Sequence, residues 1–150
     1  MLGVEELKQK VAAGEIETVM IICPDSECRP KGKTIEANYF CDSVLAHGKN
    51  ICSAIYVVDH NCNIVTACEI CTWNTGFGDF QAYPDINSLK IASWMPKTAV
   101  IFTNMQMSPS DASPVWVCPR VILKSVEEKV RAAGFSGSNA ASELEFFMFN

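Results

Sequence analysis

The run that closes this sequence, Leu144-Glu145-Phe146-Phe147-Met148-Phe149, constrains its fold more than any other stretch. Apart from Glu145 it is apolar on both faces of an extended backbone, which predicts a strand buried on both sides. Such a strand needs neighbours, so it either closes a sheet begun upstream or leads into further chain. Alternation along a strand puts Glu143 and Glu145 on one face, roughly 7 Å apart, with Leu144 directed into a core. No Lys or Arg follows Arg131 to neutralise them. Paired carboxylates beside an apolar strand are costly unless they meet water, a cation or a metal. Their oxygens suit Mg²⁺ or Mn²⁺. A solvated strand end is the other reading.

At 150 residues the chain fits one ordinary domain with room for a real core. Hydrophobic residues make up 49% and charged residues 19%, which excludes a disordered chain. A net charge of -5 argues against a general binder of nucleic acid or of acidic membranes. No apolar stretch reaches the ~18 residues of a membrane span. The start, Met1 to Lys8, mixes acidic and basic residues and does not read as a signal peptide. A cytoplasmic protein is expected.

Eight cysteines then read as reduced thiols. Cys68-Glu69-Ile70-Cys71 is a CxxC, and with two more from among Cys23, Cys28 and Cys62 it would supply four zinc ligands. Zinc ribbons usually carry two tight knuckles, and here there is one. His47 and His60 are isolated and read as surface or loop residues.

Along the chain, Val4, Leu7 and Val11 predict a helix over 4–13. Residues 17–23 and 29–37 predict a hairpin of two strands around the turn Pro24-Asp25-Ser26-Glu27. A short helix is expected over 38–46, stopped at Gly48. Apolar segments follow at 53–59 and 64–70. Residues 72–84 read as an aromatic loop with two glycines, either a functional lid or a long connection. Residues 85–94 predict an extended edge, 98–105 a strand, 108–114 a polar turn and 115–117 a short strand. Pro119 opens a helix to Ala133, with Val121, Leu123, Val126 and Val130 on its buried side and Gly134 as its cap. A small-residue connector at 134–142 leads to the terminal strand. The pattern is α+β.

With these segments placed, the chain resembles the N-terminal part of the glutamine synthetase family, and most of all the branch that joins glutamate to amines other than ammonia. Asp25 to Ile35, with Arg29, Lys31-Gly32-Lys33 and Phe40, is similar to the family's early hairpin. Gly78-Asp79, Pro84-Asp85 and Leu89 resemble its Gly-Asp…Pro-Asp…Thr-Leu segment. Trp94, Pro96, Thr98 and Ala99 resemble its Trp-x-Pro-x-Thr-Ala turn. Pro119-Arg120 with Leu123-Lys124 resembles its Pro-Arg-x-x-Leu-Lys helix start. Gly134, Glu143, Glu145, Phe146 and Phe147 resemble its Gly…Glu-x-Glu-Phe-Phe strand. Single motifs of this length say little, but these occur in order over about residues 16–149.

The resemblance implies a β-grasp-like N-terminal domain over residues 1–110. Residues 111–150 would then be the start of a catalytic domain, its first helix and strand. It implies that Glu143 and Glu145 are ligands of Mg²⁺ or Mn²⁺ beside the phosphates of ATP. It implies a reaction in which glutamate becomes γ-glutamyl phosphate and an amine attacks it. It also implies a homo-oligomer, in which Asp79, on a loop facing a neighbouring subunit, has a catalytic part. Ammonia-using members carry Asp-Gly-Ser-Ser ahead of the Pro-Asp segment. Here Cys71-Thr72-Trp73-Asn74-Thr75-Gly76 stands in that region, which favours an organic amine. The ATP pocket and the glutamate-binding groups are expected beyond residue 150. A free-standing β-grasp binding module and a small cysteine-rich zinc protein are the alternatives.

Overall fold

The computed structural model describes residues 2–65 and 68–149. Helix α1 (Val4–Ala12) forms where the spacing predicted it and buries Leu7 completely. Glu5 and Glu6 in its first turn and Lys10 in its last turn suit the helix dipole. Strands β1 (Thr18–Pro24) and β2 (Pro30–Glu36) make the expected antiparallel hairpin. Within it, Gly32 lies against β1. A Cβ there would stand 1.9 Å from the Ile21 carbonyl oxygen, so the Lys-Gly-Lys motif needs its glycine for space.

The Glu36 carboxylate accepts from the amides of Asn38 and Tyr39, at 3.0 and 2.8 Å, and starts the next helical stretch. Two short α-helical pieces, α2 (Ala37–Tyr39) and α3 (Leu45–His47), flank a π-helical turn at Phe40–Val44. Phe40 and Val44 are fully buried. Gly48 ends α3 at φ +67°, a conformation that side chains rarely adopt. The chain then enters β3 (Lys49–Cys52), which the sequence reading did not predict as a strand.

A 3₁₀ turn follows at Ser53–Tyr56. Then come β4 (Asp79–Pro84), a 3₁₀ turn at Ile86–Ser88, β5 (Lys90–Ile91) and β6 (Thr98–Gln106). Among the described residues the strands form one mixed sheet in the order β2-β1-β6-β4-β3, with β5 also paired to β6. Only β1 and β6 run parallel, with Thr18 opposite Thr98. Val19 and Ile21 of β1 and Ile101 of β6 face Leu7, Phe40 and Val44 in a single core. Burying one such side chain contributes about 1.5–3 kcal/mol.

Several expectations are corrected. Residues 79–84, read as the end of a loop, form an inner strand, because Phe80 and Ala82 fill the space between β3 and β6. The extended edge over 85–94 is interrupted by the 3₁₀ turn at Ile86–Ser88. The segment at 115–117 is a turn rather than a strand. Val115 is nonetheless buried, and its amide donates to the Met105 carbonyl at 3.0 Å. Two residues of the apolar segment at 64–70, 66 and 67, lie outside the described residues.

Helix α4 (Pro119–Ala132) is present with proline in its first turn, but none of its residues is fully buried. Leu123 and Val126 are 59% and 47% exposed, against the expectation of a buried apolar side. The terminal segment departs most. Residues 142–149 are irregular, and Leu144 is 85% exposed and Phe147 88%. No other strand among the described residues pairs with this segment, so its amides and carbonyls face water instead of a ladder.

Candidate functional site

The family-like motifs of the hairpin and of the Pro-Asp segment turn out to be two ion-pair clusters. Asp25, at the tip of the hairpin, is wholly buried. Its Oδ1 accepts from the amides of Glu27 and Arg29 at 3.0 and 2.9 Å, and its Oδ2 accepts from Arg29 Nε at 2.8 Å. Lys31 Nζ stands 4.0 Å away. Burial pushes the Asp25 carboxyl up, but the Arg29 amide, the Arg29 side chain and the Glu27 amide outweigh it. The group is held below the usual carboxylate range. Arg29 Nη1 also donates to the His60 carbonyl at 3.3 Å, tying the hairpin tip to the 59–63 turn.

Asp85 follows the last residue of β4. Its Oδ1 accepts from the Asn87 amide at 3.2 Å, and its Oδ2 accepts from Arg120 Nη2 on α4. Lys124, one turn further along α4, has Nζ 3.5 Å from the same oxygen. Asn104 of β6 completes the group. Its Oδ1 accepts from Arg120 Nε at 3.3 Å and from Lys124 Nζ at 2.7 Å. The Arg120 guanidinium lies 5.4 Å from the centre of the Phe102 ring. Burial raises the Asp85 carboxyl. Arg120, Lys124 and the Asn87 amide lower it more, and the net shift is downward. The sequence reading found Pro-Asp and Pro-Arg-x-x-Leu-Lys as separate motifs and missed that they meet. The four-residue step from Arg120 to Lys124, which puts two cations on one helix face, was the available signal.

Asp79 is the first residue of β4, exposed and opposite Cys52. The loop before it is pinned at its base. The Ser53 hydroxyl sits 2.6 Å from the Gly78 carbonyl oxygen and 2.9 Å from Cys71 Sγ. Inside the loop, Trp73 and Phe77 stack edge to face at 4.8 Å, with Trp73 75% exposed. Asp79 therefore stands at the exit of an aromatic loop closed on itself.

Glu143 and Glu145 are exposed, and neither has an ion-pair or hydrogen-bond partner among the described residues. Two free carboxylates offer the hard oxygen donors that a divalent cation takes. Among the described residues no third His, Cys, Asp or Glu joins them, and the same holds for the CxxC cysteines. The pair thus fits part of a metal-ligand set. Asp79, the hairpin cluster and the Glu pair lie on separate elements, and the structure does not bring them into one cleft.

No family model matches the chain. The γ-glutamylethanolamide synthetase GlnA4 of Streptomyces coelicolor is 37% identical over 148 residues, covering 99% of this chain and 31% of that protein. A glutamate–isopropylamine ligase of a Pseudomonas species is 27% identical over 135 residues, covering 90% of this chain and 29% of the ligase. Among solved structures, GmaS in complex with ADP superposes with a TM-score of 0.63 at 21% identity, over 85% of this chain and 26% of GmaS. GmaS without ligand gives 0.62 at 21% identity, over 83% and 25%. At that identity the two structures speak for the fold alone. The chain spans less than a third of the length of these relatives. These matches support the resemblance to the glutamine synthetase family: the named relatives form γ-glutamylamides, and this chain is similar to their N-terminal part. No helix among the described residues is long and apolar enough to cross a membrane.

Proposed function

We propose that this chain is the N-terminal portion of an ATP-dependent ligase that joins the γ-carboxylate of glutamate to an organic amine. The observation that carries this reading is the 37% identity, running through 99% of the chain, to a γ-glutamylethanolamide synthetase. In this reading residues 1–110 are a β-grasp-like domain and residues 111–150 begin the catalytic domain. The intact protein is a cytoplasmic homo-oligomer. Asp79, exposed at the exit of its pinned loop, faces the active site of a neighbouring subunit.

Glu143 and Glu145 would hold Mg²⁺ or Mn²⁺, and that charge would neutralise the phosphoryl group as ATP transfers it to glutamate. The two side chains contribute anionic oxygen atoms and bring no competing cation of their own. The sheet and α4 contribute placement. Absence of the Asp-Gly-Ser-Ser sequence favours an alkylamine or aminoalcohol over ammonia.

The test is phosphate release from ATP by the full-length protein with glutamate, Mg²⁺ and a panel of ammonia, alkylamines and ethanolamine. Amine-dependent release is expected with the organic amines, and the 150-residue chain alone is expected to be inactive. Failure of every amine to stimulate release by the full-length protein would remove the ligase reading.

A further inference from the structure

Helix α4 meets the sheet through a polar side. Arg120 and Lys124 point at Asp85 and Asn104. Ile122 and Val126, on the other side, are 50% and 47% exposed. An amphipathic helix on a protein surface normally does the reverse. Because so little of α4 is buried, its seat depends on the four polar side chains and on Val121, which packs partly against the core. The acceptor side is held just as firmly. The Asp85 amide donates to the Phe102 carbonyl at 2.8 Å, and the Ser88 hydroxyl donates to the Asp85 carbonyl at 2.7 Å. The Phe102 amide donates to Ser88 Oγ at 2.8 Å. Asp85 is therefore fixed to β6, and Arg120 reads that fixed point.

We propose that Arg120 and Asp85 are positioning residues, a polar clamp that sets the seat of α4 and hence the place from which the chain continues to Glu143 and Glu145. The proposal rests on the ligase reading for its catalytic consequence and on the contacts above for the clamp itself. Arg120 is suited to it because one planar guanidinium meets Asp85 and Asn104 at once and stacks near Phe102, which a lysine cannot copy in full.

The experiment uses the full-length enzyme with Arg120→Met, Arg120→Lys and, should the methionine variant not fold, Asp85→Asn. Hydrogen exchange over residues 119–132 reads the clamp, and kcat against KM for glutamate reads positioning. Arg120→Met should expose the α4 amides to exchange and lower kcat by up to about a hundredfold, with KM changed far less. Arg120→Lys, which keeps a cation beside Asp85, should recover most of the loss. Unchanged exchange in both charge-removing variants would overturn the clamp. Faster exchange with unchanged kcat would overturn the positioning role. An inactive wild-type enzyme would instead sink the ligase reading, and the exchange result would still decide the clamp.

Discussion

Asp25 is completely buried, yet it binds Arg29 only four residues further on, so the tip of the first hairpin is closed by a charge pair rather than by packing. The carboxylate has three protein donors and no need of a water. Residues 25–29 form a compact structural turn, and Cys28 passes through it at φ +62°.

Removing the anion should therefore be costly. Asp25→Ala leaves two amides and the Arg29 guanidinium without their acceptor, and should destabilise the chain by roughly 1–3 kcal/mol. Urea unfolding of the two proteins measures it. A difference within error of zero would show that the turn holds without its charge.

Acid should act through the same group and through Asp85. Both carboxyls are held below their ordinary value in the folded state. Their contribution is present above the unfolded value of about 3.9 and is lost as pH falls through the lower folded values. Thermal stability should be nearly flat from about pH 7 to pH 5 and decline below about pH 4. Asp85→Asn should make that decline shallower. An identical acid profile for the variant would assign the loss to other groups.

The thiols should separate by access. Burial pushes Cys23 up to about 11, and Cys71 and Cys118 are also buried, whereas Cys28, Cys52 and Cys62 are exposed. Brief alkylation at neutral pH followed by peptide mass analysis should label the exposed three first. The buried three should label only in denaturant. Rapid labelling of Cys23 in the native protein would contradict the core described above.

Gly32 should not accept a side chain. Gly32→Ala would press a methyl group onto the Ile21 carbonyl oxygen, a backbone atom in a paired strand. The hairpin must shift, at about 1–3 kcal/mol or more. A variant with wild-type Tm would show that the β1–β2 ladder is more pliant than drawn.

In the proposed full-length ligase, Glu145→Gln keeps size and removes one anionic oxygen from the proposed metal set. Divalent metal should bind more weakly, and turnover should fall by orders of magnitude, since charge placement is most of what the protein supplies in phosphoryl transfer. Metal titration and steady-state assays check both. Leu144→Ala in the 150-residue chain should change stability little, because Leu144 is exposed there.

The elements with a clear period were legible in the sequence. The Val4-Leu7-Val11 spacing gave α1, the two segments around the turn Pro24-Asp25-Ser26-Glu27 gave the hairpin, and Pro119 marked the start of α4. Tertiary context decided the rest. Phe80 and Ala82 sit among loop-like glycines and aromatics, and only insertion between β3 and β6 makes them a strand. The apolar positions of α4 were read as its inner side, whereas Arg120 and Lys124 occupy that side through partners 35 and 20 residues away in sequence. Local pattern marks two cations on one helix face but not the partners they meet. For the Glu pair, the residues were legible but the expected strand was not formed, because a strand is a property of its neighbours as much as of itself.

The parallel pairing of β1 with β6 has a consequence for how the molecule is made. Thr18 and Thr98, which face each other across that ladder, are 80 residues apart. A hairpin such as β1–β2 closes in about 1–10 μs. A ribosome adds about 5–20 residues per second, so β1 waits roughly 4–16 s for β6 to be synthesised. Throughout that interval one edge of β1 is bare and Val19 and Ile21 lack the far half of their core. The most hazardous moment in the life of this sheet falls during translation, when a nascent neighbour or a chaperone can reach an edge that the finished fold never shows.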